Sequence, residues 1–514
     1  MIPMTRRALL ASGAATLIVP RFLTACAHPD VTTAAAGGVV PLNPFAAWFG
    51  VDPAVVRRVM AELTSRGADF ADLYFQHSRN TSINLEDGLI SRASTTVDLG
   101  VGLRVVVGDQ VGYAYTEDLS EESMLGAARV AAAIATGSTP ATLPVAFNPR
   151  TANAGFYSLE VPWSLVGIEQ RLPILTAVES RARAKDPSIA KVSVSWTDSE
   201  ERIAIADLDG NLHLDSRPMM RVWCNLTAKR GEQTVSNSAN VAGRHGINHM
   251  TDARIQELVD QAAERTLVLF DARRPPAGVM PVVLAAGASG ILLHEAIGHG
   301  MEADFNRKGT SIYSEMLGQK IAPDFVTIVD SGTEPGERGA LNMDDEGGES
   351  QRTVLVENGV LRTYLHDQIS ARHYGVPSTG SGRRESFRHM VLPRMRCTFM
   401  EDGPHTKDEI IASVENGIIA ETFTNGQVQI GAGDYTFYIK NGWLIENGKV
   451  TAPIKDVNII GNGPETLRRV TMAANDGRLD TGGWTCGKNG QSVPVSQGLP
   501  TVLVSEMTVG GENV

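Results

Sequence analysis

Hydrophobic and polar positions fall into two textures along the chain. Near the start, Val55, Val56, Val59, Met60 and Leu63 recur at helical spacing behind Asp52 as N-cap and Pro53 at the first helical position, with Gly67 as the stop. Strand patterns follow. Asp87-Gly88 separates the apolar residues of 83–85 from 89–90, and residues 101–107 alternate toward Gly108-Asp109, which predicts β-hairpins. Residues 120–135 and 164–184 predict helices, the second broken at Pro173. Residues 191–196, 202–206, 212–214 and 221–226 predict short strands around the turn at Asp209-Gly210. A helix over 252–269 leads into the Pro- and Gly-bearing stretch 273–278, and there the texture changes. A buried strand over 279–285 and one apolar helix precede a series of strands whose hairpins are marked by Asn358-Gly359 and Asn447-Gly448.

These patterns predict an α+β protein: a mixed α/β N-terminal domain over 46–272, then a mainly antiparallel β C-terminal domain over 273–514 that carries one chemistry-bearing helix. Hydrophobic residues at 42% and charged residues at 20% leave ample material for a packed core. A net charge of -12 argues against nucleic acid as a partner, since phosphate binding shows as a basic surface.

Residues 1–30 form a segment apart. Arg6-Arg7 stands directly before the apolar run 8–19, the pattern of a twin-arginine signal peptide, and residues 31–45 then read as a linker. The run is too short to span a bilayer permanently. The expected location is therefore periplasmic. Leu23-Thr24-Ala25-Cys26 fits a lipobox, which would leave a lipid anchor at Cys26, and Ala25-Cys26-Ala27 equally fits ordinary signal cleavage. The remaining cysteines, Cys224, Cys397 and Cys486, are too few and too scattered for a disulfide framework.

The stretch from His294 to His299, His-Glu-Ala-Ile-Gly-His, carries the most chemistry. In the common zinc-peptidase spacing two histidines stand four apart, about 40° from each other around a helix. Here they are five apart, about 140° on an ideal helix, so a regular α-helix would not aim both at one ion. A π-type turn brings positions five apart into line, and Gly298 and Gly300 would relax the backbone or end the helix there. His294 and His299 would then converge on a metal with Glu295 beside them as general base. Two core histidines and a surface glutamate would leave the same pattern.

A wider resemblance separates these readings. Residues 300–311, Asp344-Asp345-Glu346-Gly347, Gly382-Arg383-Arg384-Glu385-Ser386, Pro393-Arg394-Met395 and the run from Cys486 to Val495 resemble signatures of the TldD/PmbA family, in which an HExxxH metal motif marks the active subunit. The resemblance is dense over 279–512 and weaker from residue 52 onward. It implies a zinc-dependent peptidase acting on unfolded or extended peptides, with one Zn²⁺ per chain on His294, His299 and Cys486 and with Glu295 catalytic. Should Cys486 not serve, Glu302 and Asp304 are the next ligands to consider. A partner chain of the TldE/PmbA type that lacks the motif, or a homodimer, is implied as well. The alternative is a metal-stabilised peptide-binding or maturation factor without turnover of its own. Arg383 and Arg384 suit either a substrate carboxylate or the acids Asp344, Asp345 and Glu346. His366, His373, His389 and His405 read as structural or surface histidines.

Replacing Arg6 and Arg7 by lysines is expected to hold the protein in the cytoplasm. Cell fractionation of the variant checks this, and undiminished export would contradict it.

Overall fold

The computed structural model describes residues 43–137, 141–151, 155–157 and 159–511. The segment expected to be a signal peptide, most of the expected linker and Cys26 lie outside the described residues. The three cysteines within them are free and buried.

The first helix, α1 (Pro53–Leu63), starts where Asp52 accepts the Ala54 N–H at 2.7 Å and buries Val56, Val59, Met60 and Leu63. Seven strands then make one sheet: β1 (Phe70–Glu86), β2 (Leu89–Val107), β3 (Gln110–Thr116), β4 (Asn148–Thr151), β5 (Ile189–Asp207), β6 (Asn211–Arg230) and β7 (Gln233–Gly243). Their order is β3-β2-β1-β5-β6, and the far edge of β6 takes β4 near one end and β7 near the other. The four central strands are far longer than expected. Residues 197–201 interrupt the apolar alternation, yet they stay in the ladder because β1 and β6 pair with them on both sides. Such length lets one sheet support two cores. Helix α1 and α2 (Glu121–Ile134) cover one, while α3 (Ile168–Arg183) and α4 (Asp252–Leu267) cover the other.

Helix α3 runs through Pro173 without the expected break. Pro173 is exposed, so the carbonyl it leaves unpaired faces water. The alanine run of α2 packs inward through Ala128, Ala131 and Ala132. Among the described residues no helix is long and apolar enough to cross a membrane.

The C-terminal region is β-rich, as expected. Strand β8 (Gly278–Leu284) lies between Asn416–Gln429, parallel, and Val502–Gly510, antiparallel. Val502–Gly510 pairs with Val457–Asn462, which pairs with Asp434–Glu446, which returns to Asn416–Gln429. Five strands therefore close on themselves, and the largest apolar cluster, including Ile291, Leu292, Ala296, Ile297 and Cys486, packs against them. The hairpins at Asn358-Gly359 and Asn447-Gly448 have positive φ at both turn residues, as their sequences demand. A second sheet of six strands centres on Ile328–Ser331 and Cys397–Met400.

Fully buried charges join the two regions. Asp72 of β1 accepts from Arg104 of β2 at 2.6 Å, and Arg104 reaches Glu346 at 2.7 Å. Arg217 of β6 reaches Asp345 at 2.6 Å, and Arg384 reaches Asp72 at 3.3 Å. Removing one member leaves an uncompensated charge in a site without water. Asp72→Ala, which removes the ion-pair partner of Arg384 and leaves Arg104 with Glu346 alone, is expected to destabilise the protein by about 3–5 kcal/mol. A thermal unfolding midpoint equal to that of the parent would contradict this.

Candidate metal centre

Strand β8 ends in a tight turn at Gly287, whose φ of +88° suits glycine, and the chain then enters the core as a run of short helical turns from residue 288 to 301. Ile291, Leu292, Leu293, Ala296, Ile297 and Met301 are buried, so this segment is apolar on every side. Its middle, His294–Gly298, is π-helical. That turn puts the two histidines together: the rings of His294 and His299 stand edge to face, 5.1 Å apart, and both are buried. Gly298 has ordinary right-handed helical angles, so backbone freedom is not its role. A Cβ there would meet Met395 Sδ at 1.9 Å; glycine is needed because Met395 packs directly against the turn.

Cys486 comes from the hairpin of Thr485–Lys488 and Gln491–Pro494. Its Sγ lies 3.4 Å from His299 Nε2, and one ligand atom from each of His294, His299 and Cys486 falls within 4.8 Å of the others. Sulfur and nitrogen on a tetrahedral zinc stand about 3.5 Å apart, so the spacing fits that ion. Burial alone would raise the Cys486 thiol, but His294 and His299 outweigh it and hold the thiol well below its usual range. Burial would likewise lower His299, and Glu302 and Cys486 reverse this. Two imidazoles and a thiolate form a donor set that zinc accepts.

Neither Glu302 nor Asp304 takes the ligand position considered for them. Glu302 is wholly buried and its Oε2 meets His299 Nδ1 at 2.9 Å. Lys488 Nζ stands 3.1 Å from the same oxygen and 2.6 Å from Asp304 Oδ1. Burial raises the Glu302 carboxyl, but Lys488 and His299 pull it down to about 2. Arg394 closes the arrangement, donating to the Cys486 carbonyl at 2.7 Å. Sequence reasoning missed this support. Lys488, two places after Cys486 in a strand and so on the same side, was the one signal available.

Glu295 is placed differently. Its side chain is 20% exposed and its Oε2 lies 4.0 Å from His299 Nε2, so it is the one acid of the turn that solvent reaches. His366 is buried and pushed down to about 4 by burial, while His389 accompanies Ser386 at 3.0 Å. Among the described residues neither these two nor His373 or His405 joins the His294, His299 and Cys486 cluster.

Comparison with known proteins agrees along nearly the whole chain. Residues 71–135, 162–270 and 277–511 match domain 1, the central domain and the C-terminal domain of the PmbA/TldA metallopeptidases. The metalloprotease TldD homolog of Haemophilus influenzae is 40% identical over 457 residues, 88% of this chain and 95% of that protein. The zinc metalloprotease TldD homolog of Saccharolobus solfataricus is 27% identical over 87% of this chain and 97% of that one. Among solved structures, a putative modulator of a DNA gyrase from Thermotoga maritima superposes with a TM-score of 0.72 at 20% identity, covering 89% of this chain and 99% of that one. TldE from Thermococcus kodakarensis gives 0.69 at 18% identity, covering 88% and 100%. These two show a shared fold.

Glu302→Gln is expected to weaken zinc binding about 10–100-fold, because the carboxylate that orients His299 loses its charge. Cys486→Ser should weaken it further, whereas Cys224→Ser and Cys397→Ser should not. Zinc content after dialysis against a graded chelator measures all four.

Proposed function

Because the chain belongs to the PmbA/TldA metallopeptidase family, we propose that it is a zinc-dependent peptidase in which His294, His299 and Cys486 hold the ion and Glu295 is the general base. The single observation that carries this reading is the three-donor cluster with one solvent-reachable carboxylate beside it. Zinc bound there supplies Lewis acidity, polarising an amide carbonyl and making a water more acidic. The chain's own residues do the rest. Glu295 takes the proton of the attacking water on a carboxylate oxygen as the new C–O bond forms, and then returns it to the amide nitrogen as the C–N bond breaks. Glu302 accepts from His299 Nδ1 and so keeps Nε2 facing Cys486. The buried residues around the site leave Glu295 as its most exposed polar side chain, at 20% against 7% for His299.

The substrates are unfolded or extended peptides, since donors held this deep suit a single strand of chain better than a folded surface. A related chain without the metal motif is the partner, a reading supported by the likeness in fold to a TldE protein. The protein works in the periplasm, supported by Arg6-Arg7 before the apolar run.

Glu295→Gln should lower turnover of a denatured polypeptide by about 100-fold or more while zinc content stays unchanged. Undiminished cleavage would remove Glu295 from the reaction. No cleavage by the zinc-loaded parent, with or without a motif-lacking partner, would favour a peptide-binding factor without turnover.

A further inference from the structure

Two uses were open for Arg383 and Arg384, a substrate carboxylate or the neighbouring acids, and the structure gives the two side chains different surroundings. The Arg384 guanidinium pairs with Asp72 at 3.3 Å, and its main-chain N–H donates to Asp345 at 2.8 Å. Arg383 has no carboxylate within 4.0 Å among the described residues. It donates to the carbonyls of Met395 at 2.5 Å and Pro494 at 2.7 Å.

Arg383 lines a cavity of about 220 Å³ between the N-terminal sheet and the hairpin that bears Cys486. Arg244 and Arg338 line it too, and they share its situation. Arg244 is 4% exposed, Arg338 8% and Arg383 2%, and none forms an ion pair among the described residues. Arg338 Nε donates to the Trp484 carbonyl at 3.2 Å. Arg244 reaches the Pro218 carbonyl at 3.4 Å, and its buried Nε has no partner among the described residues. Burial, reinforced by neighbouring guanidinium groups, pushes Arg338 and Arg383 down to about 9. Three desolvated cations with no carboxylate within 4.0 Å among the described residues are costly, and an anion placed between them relieves that cost.

The acids on the same walls do not fill that role. Asp345 is engaged by Arg217 and by the Arg384 N–H, and Glu385 accepts the Ser492 N–H at 2.6 Å. Glu201 forms no ion pair within 4.0 Å among the described residues, and burial raises its carboxyl against the pull of Arg217 and Arg244. The cavity has room for about seven waters at ~30 Å³ each, enough for a carboxylate and a short side chain. Its position matters as much. Thr485 pairs with Pro494 and Cys486 with Val493, so the carbonyls held by Arg338 and Arg383 flank the strand pair that delivers the thiolate.

We propose that this cavity is a carboxylate-binding subsite, in which Arg244, Arg338 and Arg383 take an anionic group of the peptide that lies across the metal centre. Assigning the carboxylate to a peptide rests on the peptidase function proposed above. The group is the terminal carboxylate or an acidic side chain near the end.

The test is a binding measurement on the full, zinc-loaded Glu295→Gln chain, so that cleavage does not intervene. Three fluorescein-labelled peptides of one neutral sequence are compared by anisotropy: a free C-terminal acid, the C-terminal amide, and the amide with glutamate as its last residue. The free acid should bind about tenfold or more tightly than the plain amide. Arg338→Met and Arg383→Met should bring the acid down to the level of the amide measured on the same variant. Tight binding of the glutamate-ended amide assigns the subsite to acidic side chains; weak binding assigns it to the terminus. Equal affinities for acid and plain amide, or no binding of the acid, would overturn the proposal without any variant having to fold. A parent chain that discriminates but never cuts keeps the subsite and loses the peptidase function. One that cuts without discriminating does the reverse.

Discussion

Glu302 is a carboxylate with no exposure to water, and the placement of two of the three candidate metal donors, His299 and Cys486, leans on its charge. It fixes the His299 ring from the helical side, and through Lys488 it holds the hairpin that carries Cys486. Arg394 spans the same gap, 3.8 Å from Glu302 and bonded to the Cys486 carbonyl. A buried carboxylate alone would be severely unfavourable, and these cations in turn need it to be tolerated in the core. The donors are therefore positioned by mutual charge compensation, and two parts of the chain far apart in sequence are locked to one geometry.

The site was legible in the sequence to an uneven depth. Five-residue spacing between His294 and His299 contradicts an α-helix, and that contradiction pointed to the π turn that the structure contains. Cys486 came only through family resemblance, because nothing local marks a lone cysteine in a strand. The purpose of Gly298 was hidden, since it depends on Met395, which no periodicity connects to it. Glu302 looked like a spare ligand because its true partner, Lys488, is 186 positions away.

The fold shows the same division. Caps and turns written in adjacent residues, such as Asp52-Pro53 and Asn447-Gly448, appear where expected. Strand length was misjudged where polar residues are buried by distant partners: Asp198 breaks the alternation of β5 but is satisfied by Arg171 of α3 and by Trp196 Nε1. The contacts between the two regions were equally unreadable, for Asp72, Arg104 and Glu346 look like surface charges until the two sheets meet.

The closed ring of five strands bears on when the centre comes into being. Strand β8 cannot complete its antiparallel pairing until Val502–Gly510 has been made, and Cys486 follows His299 by 187 positions. A growing polypeptide on the ribosome thus exposes two imidazoles long before the thiolate and the closing strand exist. Until then the chain offers two of the three candidate donors, short of the three protein ligands that a catalytic zinc site uses. Metal selection is deferred to the finished chain, and fragments cut short by stalled translation carry no competent centre.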